Sequence, residues 1–433
     1  DEGVAETITA GDGDNIVLGD SGRIDFTMAE RESAVGADTS PADIDLVESL
    51  STTAAGGVDT ITTGSGSDLI IGGRYGDTIT AGDGNNLVIG DSGRITASSA
   101  DGPQLAGLPM TLGLVETTAF GDGGVDTITT LGGNDIVLGG QEGDTIEAGD
   151  GQNIVIGDDG KLDYTLADRE PGEPGADLNP ADLDLVESTS AAEFGGVDTI
   201  TTGSGSDLII GGRYGDTITA GDGDNVVFGD NGRITAATED VGNFSDQPIT
   251  LGLVETIESQ VGGSDTITTG VGRDIILGGI GDDMIVANSG EYQPNAVGGI
   301  ENGSDANNLI IGDSGYIDWT AADNGRAYVD TTAPAGGTLP GDDGNALDID
   351  RVWSTEPGDG GSDQIMTGDG HDIILGGFSN DVVHAGHGKN IVFGDSGRIT
   401  AATTDDPAVQ ISVTDFSIGE IASTAFADGG ADV

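Results

Sequence analysis

Aliphatic residues in this chain come in short groups, separated by polar and glycine-rich stretches of constant length. From 59 to 95 it reads DTITTGSGSDLIIGGRYGDTITAGDGNNLVIGDSGRI, with Ile61, Ile70, Ile79 and Val88 nine residues apart. Two residues before each stands Asp59, Asp68, Asp77 or Asn86. The pattern predicts three-residue strands whose middle side chain points inward and whose neighbours point outward. Six loop residues and one such strand make half a turn, so eighteen residues make one coil of a flattened helix. Gly supplies the backbone angles and close approach that stacked tight turns need.

The motif recurs in blocks. After a partial copy at 5–24, copies run near 57–95, 124–162, 196–234, 263–317 and 361–399. Each closes with a GD[S/D/N]G turn and a short strand such as Arg94-Ile95 or Arg233-Ile234. A variable segment and a further strand follow, such as Leu114-Val115-Glu116. Six strands per block predict three coils, a rise of roughly 14 Å per block and a rod of about 85 Å. Six strands are a whole number of coils, so every variable segment should leave on one edge. The insertion at 287–306 should leave there too, and the other edge should be smooth. We expect one continuous solenoid over 1–433 with blocks near 5–56, 57–123, 124–195, 196–262, 263–360 and 361–433, as in other quasi-one-dimensional repeats. Gly429 to Val433 reads as the start of another unit and Ala5 to Thr9 as the tail of one, which suggests a longer array.

The two faces differ. One carries Thr60-Ile61-Thr62, Thr78-Ile79-Thr80 and similar strands, with Thr outward. The other carries Leu69-Ile70-Ile71 and Leu87-Val88-Ile89, with aliphatic residues outward. A long apolar strip does not stay in water. Either the variable segments, with Met28, Leu46, Leu105, Leu108, Met110 and Leu112, fold over it, or a second roll packs there.

Charge now enters the picture. Of 433 residues 77 are acidic and 13 basic, giving a net charge of -64, and aromatics are 4%. Such a composition suits disorder, whereas the nine-residue order suits a fold. A chain that folds on binding metal satisfies both. Asp side chains one coil apart lie about 4.8 Å from each other and repel. A hard cation with oxygen ligands, calcium above all, removes that repulsion.

The GxGxDxUx pattern resembles the RTX, or hemolysin-type, calcium-binding repeat. The resemblance implies an all-β, right-handed parallel β-roll or β-helix solenoid. It implies several Ca2+ ions held by loop carbonyls and by Asp59, Asp68, Asp77, Asp126, Asp135, Asp144, Asp198, Asp207, Asp216, Asp265, Asp274, Asp283, Asp363, Asp372 and Asp381. We expect Asp20, Asp91, Asp158, Asp230, Asp313 and Asp395, in the shortened GD turns, to be further ligands on the smooth edge; the alternative is that they bond their own turn backbone. Asn15, Asn86, Asn153, Asn225, Asn308 and Asn390 replace Asp in the fourth strand of each block, and suggest neutral, weaker or water-filled sites. Glu6 also takes an Asp position.

Other chemistry is largely excluded. Nucleic acid is not a direct partner of so acidic a chain. Without Cys there are no disulfides or thiolate sites, and no apolar run can cross a membrane. GDSGR looks like a serine-protease nucleophile, but a catalytic Ser does not recur per repeat or alternate with Asp and Asn. His371, His384 and His387 lie in no HExxH helix. Arg23, Arg94, Arg233 and Arg398 recur once per block; they either neutralise nearby carboxylates or pair with an adjacent roll.

The expected function is non-enzymatic: a calcium-stiffened structural segment of a large secreted or cell-surface protein, as an adhesin stalk, matrix component or fibre subunit. Its partners would be calcium and further copies, laterally or end to end. The family implies type I secretion from a Gram-negative bacterium. The alternative is the secretion and folding module of a toxin or hydrolase. Ice binding by the Thr rows is weaker, because the Arg strands should interrupt them every third coil, and Gln364, Met366 and His384 spoil them late in the chain.

Overall fold

The computed structural model describes residues 5–28, 42–50, 56–100, 102, 106–119, 121, 123–173, 175–177, 179–190, 194–239, 241–244, 247–287, 307–321, 341–355, 358, 360–403, 417–424 and 430–433. The chain divides into two compact units, Asp1–Pro171 with Ala176–Arg213, and Gly172–Gly175 with Tyr214–Val433.

Each unit winds between two parallel sheets, as a β-roll does. In the first unit a Thr-rich sheet takes Thr7–Gly11, Thr60–Thr63, Thr78–Thr80, Thr127–Gly132, Thr145–Asp150 and Thr199–Thr201 in that order. An aliphatic sheet takes Ile16–Leu18, Leu69–Ile71, Leu87–Ile89, Ile136–Leu138, Ile154–Ile156 and Leu208–Ile210. The second unit repeats this with Thr217–Thr219, Thr266–Thr268, Met284–Val286, Gln364–Met366 and Val382–His384. Its aliphatic sheet is Val226–Phe228, Ile275–Leu277, Leu309–Ile311, Ile373–Gly377 and Ile391–Asp395. Register is residue on residue, Ile61 opposite Ile79 and Ile70 opposite Val88. These middle side chains are wholly buried.

The fifth and sixth strands of each block do not continue the roll. In the first unit Gly22–Asp25, Leu46–Ser49, Gly93–Ala97, Leu112–Thr117, Gly160–Asp163 and Leu185–Ser188 form a third, antiparallel sheet. In the second unit it is Gly232–Ala236, Leu251–Thr256, Gly315–Asp318, Arg351–Ser354, Gly397–Ala401 and Ile418–Ser423. A block therefore holds two coils, not the expected three, and rises about 10 Å, not about 14. The cause is loop length. Only Gly90, Asp91 and Ser92 separate Leu87–Ile89 from Gly93–Ala97. Three residues cannot carry the chain around the roll as six do, so it turns back over the sheet it has just left.

The turn needs glycine where the layers meet. A Cβ on Gly93 would stand 2.4 Å from Ile89 Cδ1, and one on Gly232 would stand 2.6 Å from the Phe228 ring. The GDxG string is thus a structural turn. The third sheet covers the aliphatic face: Leu69, Ile71, Leu87 and Ile89 are buried, as are Ile95, Val115, Leu162 and Val186 of the covering strands. Met28, Leu46, Met110 and Leu112 are buried too, and Leu108 is half-buried; Leu105 lies outside the described residues. Of the two covers expected for this face, the chain supplies its own.

On the other face of the third sheet the recurring cations pair within the chain. Arg23 pairs with Glu48 at 2.8 Å, Arg94 with Glu48 at 3.6 Å and Lys161 with Glu187 at 3.1 Å. Arg233 pairs with Glu255 at 3.5 Å and Arg398 with Glu420 at 2.9 Å. They neutralise carboxylates across neighbouring antiparallel strands. Because the Arg strands stand in the third sheet, they do not interrupt the Thr rows. Thr60, Thr78, Thr127, Thr145 and Thr199 run in register and exposed through the first unit.

The edges are also rearranged. The third sheet leaves where the chain passes from an aliphatic strand to a Thr strand. The 287–306 insertion instead joins Met284–Val286 of the Thr sheet to Leu309–Ile311 of the aliphatic sheet. It departs on the opposite edge, against expectation, and 288–306 lie outside the described residues.

Ile79 is wholly buried and Thr78 beside it is exposed. In saturating calcium, Ile79→Ala should cost about 2–5 kcal/mol in urea unfolding, and Thr78→Ala should stay within about 0.5 kcal/mol.

Candidate metal centre

Each Asp that precedes a Thr-rich strand is fixed by its neighbours in the next coils. The main-chain N–H of Asp59 donates to Asp77 Oδ1 at 2.7 Å, Asp77 to Asp126 at 2.6 Å, Asp126 to Asp144 and Asp144 to Asp198 at 2.7 Å. In the second unit Asp216 donates to Asp265 at 2.6 Å, Asp265 to Asp283 at 2.8 Å, and Asp283 to Asp363 and Asp363 to Asp381 at 2.9 Å. Glu6 and Asp432 extend the columns: Glu6 donates to Asp59 at 2.7 Å and Asp381 to Asp432 at 3.1 Å. We call this the Asp edge. It carries an acid at every coil and is the edge from which the third sheet departs. The near-continuous ladder thus lies on the decorated edge, contrary to the sequence expectation.

One oxygen of each carboxylate is spent on the ladder and the other is not. Oδ2 of Asp59, Asp77, Asp126, Asp144, Asp265, Asp283, Asp363 and Asp381 is buried with no hydrogen-bond partner. These oxygens converge on loop carbonyls. A Cβ on Gly72 would stand 2.2 Å from Gly90 O and 2.5 Å from Asp77 Oδ2. On Gly90 it would meet Asp126 Oδ2 at 2.1 Å and Gly139 O at 2.4 Å. Only glycine leaves that space open. Buried acceptors facing acceptors cost free energy unless a donor or cation stands between them. Carboxylate and carbonyl oxygens are the donor set of calcium, so these residues fit the ion.

The electrostatics agree. Burial pushes Asp77 and Asp265 up to about 8 and Asp363 up to about 9, with neighbouring carboxylates adding to the rise at Asp77 and Asp363. Asp126, Asp144 and Asp283 lie well above the usual carboxylate range for the same reasons. At the start of the first unit, ligand oxygens of Glu6, Asp20 and Asp59 lie within 4.8 Å of one another, a group able to hold a cation. No His belongs to such a group among the described residues.

The opposite edge, which precedes the aliphatic strands, alternates. Its order is Asn15, Asp68, Asn86, Asp135, Asn153 and Asp207 in the first unit, and Asn225, Asp274, Asn308, Asp372 and Asn390 in the second. We call it the Asn edge. Asp68 N–H donates to Asn86 Oδ1 at 3.1 Å, and Asn86 N–H to Asp135 Oδ1 at 2.7 Å. Oδ2 of Asp68 is buried without a hydrogen-bond partner, whereas Oδ2 of Asp274 and Asp372 accepts from the Thr269 and Thr367 hydroxyls at 2.6 and 2.8 Å.

The GD-turn carboxylates are placed differently from either expectation. They lie on the Asp edge, not on a smooth one, and they bond backbone of other coils, not their own turn. Asp20 accepts N–H bonds from Gly57 at 3.1 Å and Arg74 at 2.8 Å. Asp91 accepts from Gly124 at 3.0 Å and Gln141 at 2.6 Å, and Asp158 from Gly196 at 2.8 Å and Arg213 at 2.6 Å. Asp230 bonds Gly263 and Ile280, and Asp313 bonds Gly361 and Phe378. Asp395 ends strand Ile391–Asp395, with Oδ1 buried and without a hydrogen-bond partner. With both oxygens engaged, the first five clamp successive coils. Their remaining lone pairs still permit a cation contact.

Sequence spacing identified both columns but not the clamp, whose partners lie 33 to 65 residues away. It also left open what the Asn side chains do.

Without metal, the raised carboxylates are protonated when folded and ionised when unfolded between the ordinary carboxylate range and about 8. The folded state then binds more protons, so stability falls as pH rises through that window. In chelator, the folded fraction by circular dichroism should be greater at pH 5 than at pH 8. Calcium, which takes the ionised form, should abolish or reverse that trend and release protons on binding at pH 7. A flat chelated profile would contradict this account.

A family model described as the RTX calcium-binding nonapeptide repeat matches residues 5–23, 53–74, 62–94, 118–146, 132–161, 201–233, 261–293 and 366–398. No curated protein and no solved structure matches the chain. Such repeats are typical of secreted proteins, and no helix among the described residues is long and apolar enough to cross a membrane. From its stacked strands, its two carboxylate columns and these matches along its length, the chain is an RTX calcium-binding repeat protein.

Proposed function

We propose that the chain is a non-enzymatic structural segment of a large secreted or cell-surface protein, stiffened by calcium, in an adhesin stalk, extracellular matrix or fibre. One observation carries the reading: buried, unpartnered Asp Oδ2 atoms repeat coil after coil beside loop carbonyls. The ligands are Asp59, Asp77, Asp126, Asp144 and Asp198, with Asp216, Asp265, Asp283, Asp363 and Asp381, along the Asp edge. Asp68, Asp135, Asp207, Asp274 and Asp372 serve the Asn edge, and the GD-turn Asp residues support both coils they clamp. Millimolar calcium outside a cell would lock the fold, and scarce calcium inside would leave the chain open for export.

Self-association would use a surface other than the outer aliphatic face, because that face is already covered within the chain. Circular dichroism at pH 8, in millimolar calcium and in chelator, tests the proposal. We expect β structure in the first and its loss in the second; full β signal in chelator would overturn the reading.

The Thr rows support a second reading, ice binding. In the first unit the outward positions Thr60/Thr62, Thr78/Thr80 and Thr127/Thr129 stand in register, with Glu147 the one departure at Thr145/Glu147 before Thr199/Thr201. Regularly spaced hydroxyls and methyls on a flat sheet can order water. The folded protein should then show thermal hysteresis that Thr78→Lys reduces. Its absence in calcium-loaded protein removes this reading and leaves the structural one intact.

A further inference from the structure

The Asn edge repeats one exchange at every second coil, and the hydrogen bonds show what it does. Asn86 Nδ2 donates to Gly82 O at 3.1 Å and Gly84 O at 2.9 Å in its own loop, and to Asp135 Oδ1 at 3.0 Å. Asn225 Nδ2 does the same with Gly221 O at 3.2 Å, Gly223 O at 3.0 Å and Asp274 Oδ1 at 3.0 Å. Asn15 Nδ2 reaches Gly11 O at 3.1 Å, Gly13 O at 2.5 Å and Asp68 Oδ1 at 2.8 Å. Asn153 Nδ2 reaches Gly149 O at 3.2 Å and Gly151 O at 3.3 Å. The partners in these four coils are the carbonyls four and two residues earlier, joined in three cases by a carboxylate of the next coil, whereas Asn390 Nδ2 reaches Ala385 O, five residues earlier.

That set of two carbonyls and a carboxylate is what a hard cation would gather. We propose that the Asn amide stands in for the cation, so calcium fills every coil along the Asp edge but only the Asp coils along the Asn edge. The inference rests on the calcium-binding reading above and states which coils that reading fills. An ionised carboxylate has no hydrogen to donate. At the Asp coils nothing in the side chain can satisfy the loop carbonyls: Asp68 Oδ2 is buried without a hydrogen-bond partner, and Oδ2 of Asp274 and Asp372 accepts from the Thr269 and Thr367 hydroxyls at 2.6 and 2.8 Å. At an Asn coil the amide supplies positive hydrogens to the carbonyls and removes one charge from the column. Carboxylates along this edge are then about 9.6 Å apart, against about 4.8 Å on the Asp edge. Asn308, preceded by the long insertion, lacks the paired loop contacts among the described residues, and its Nδ2 is buried.

Two features make this a property of the edge rather than of one loop. The amide contacts recur in both units, at Asn15, Asn86 and Asn153 and at Asn225. Each Asn also keeps its place in the ladder: Asn15 N–H donates to Asp68 Oδ1 at 2.8 Å and Asn225 N–H to Asp274 Oδ1 at 3.0 Å. The exchange of Asp for Asn therefore leaves the strand register intact and changes only what the loop cavity needs. The Asn coils can close without metal, and the Asp coils wait for it.

Crystals of the whole chain grown in millimolar calcium, with anomalous difference maps, test the proposal. We expect peaks at the Asp coils of both edges and none at the Asn15, Asn86, Asn153 or Asn225 loops. Asn86→Asp should add one peak at its own loop and raise the calcium concentration needed for half-folding. Asp68→Asn, which removes a charge and so should fold at least as readily, should lose the peak at loop 64–67 and lower that concentration. A peak at Asn86 in the unaltered chain, or an unchanged peak in Asp68→Asn, overturns the proposal while sparing the calcium reading. Absence of peaks at every coil, with folding unaffected by chelator, overturns both.

Discussion

The structure depends on carboxylates held one coil apart. Parallel strands repeat every 4.8 Å or so, and the main-chain ladder requires an acceptor at the head of every Thr-rich strand. Asp meets that need with one oxygen and leaves the other facing carbonyls inside the turn. The geometry that makes each turn narrow enough to stack also makes it repulsive without a cation. The chain's acidity is a consequence of this stacking, repeated along its length.

The aliphatic face poses a second constraint, and the chain meets it locally. Each block ends its second coil with a turn too short to go around, and the chain lies back over the face it would otherwise expose. The covering strands alternate residues such as Ile95 and Val115, buried inward, with Arg94 and Glu116 outward. Arg23, Arg94, Lys161, Arg233 and Arg398 sit there, paired with Glu across the sheet.

The two edges divide the work. On the Asp edge every coil needs a counter-charge, and the GD-turn carboxylates tie successive coils through backbone N–H groups. On the Asn edge, the coils of Asn15, Asn86, Asn153 and Asn225 satisfy their own loop carbonyls with an amide. The two edges of the roll thus differ in how their loop carbonyls are satisfied.

Nine-residue spacing was enough to read the strands, the inward aliphatic residues, the Asp and Asn columns and the need for a hard cation, because these follow from local geometry repeated in register. It was not enough to assign the fifth and sixth strands. Gly93–Ala97 and Leu112–Thr117 look like further strands of the roll, and only the three-residue turn at Gly90, Asp91 and Ser92 marks them as different. Which edge each segment leaves, whether the Thr rows are interrupted and what covers the aliphatic face all follow from that one turn. So does the role of Asp91, whose partners Gly124 and Gln141 are distant in sequence. The sequence by itself determined the repeating unit and its chemistry, since both are set by residues within one coil. Tertiary structure alone decided how coils and covering strands are layered, since that depends on where a chain reversed by a short turn finds apolar surface to bury.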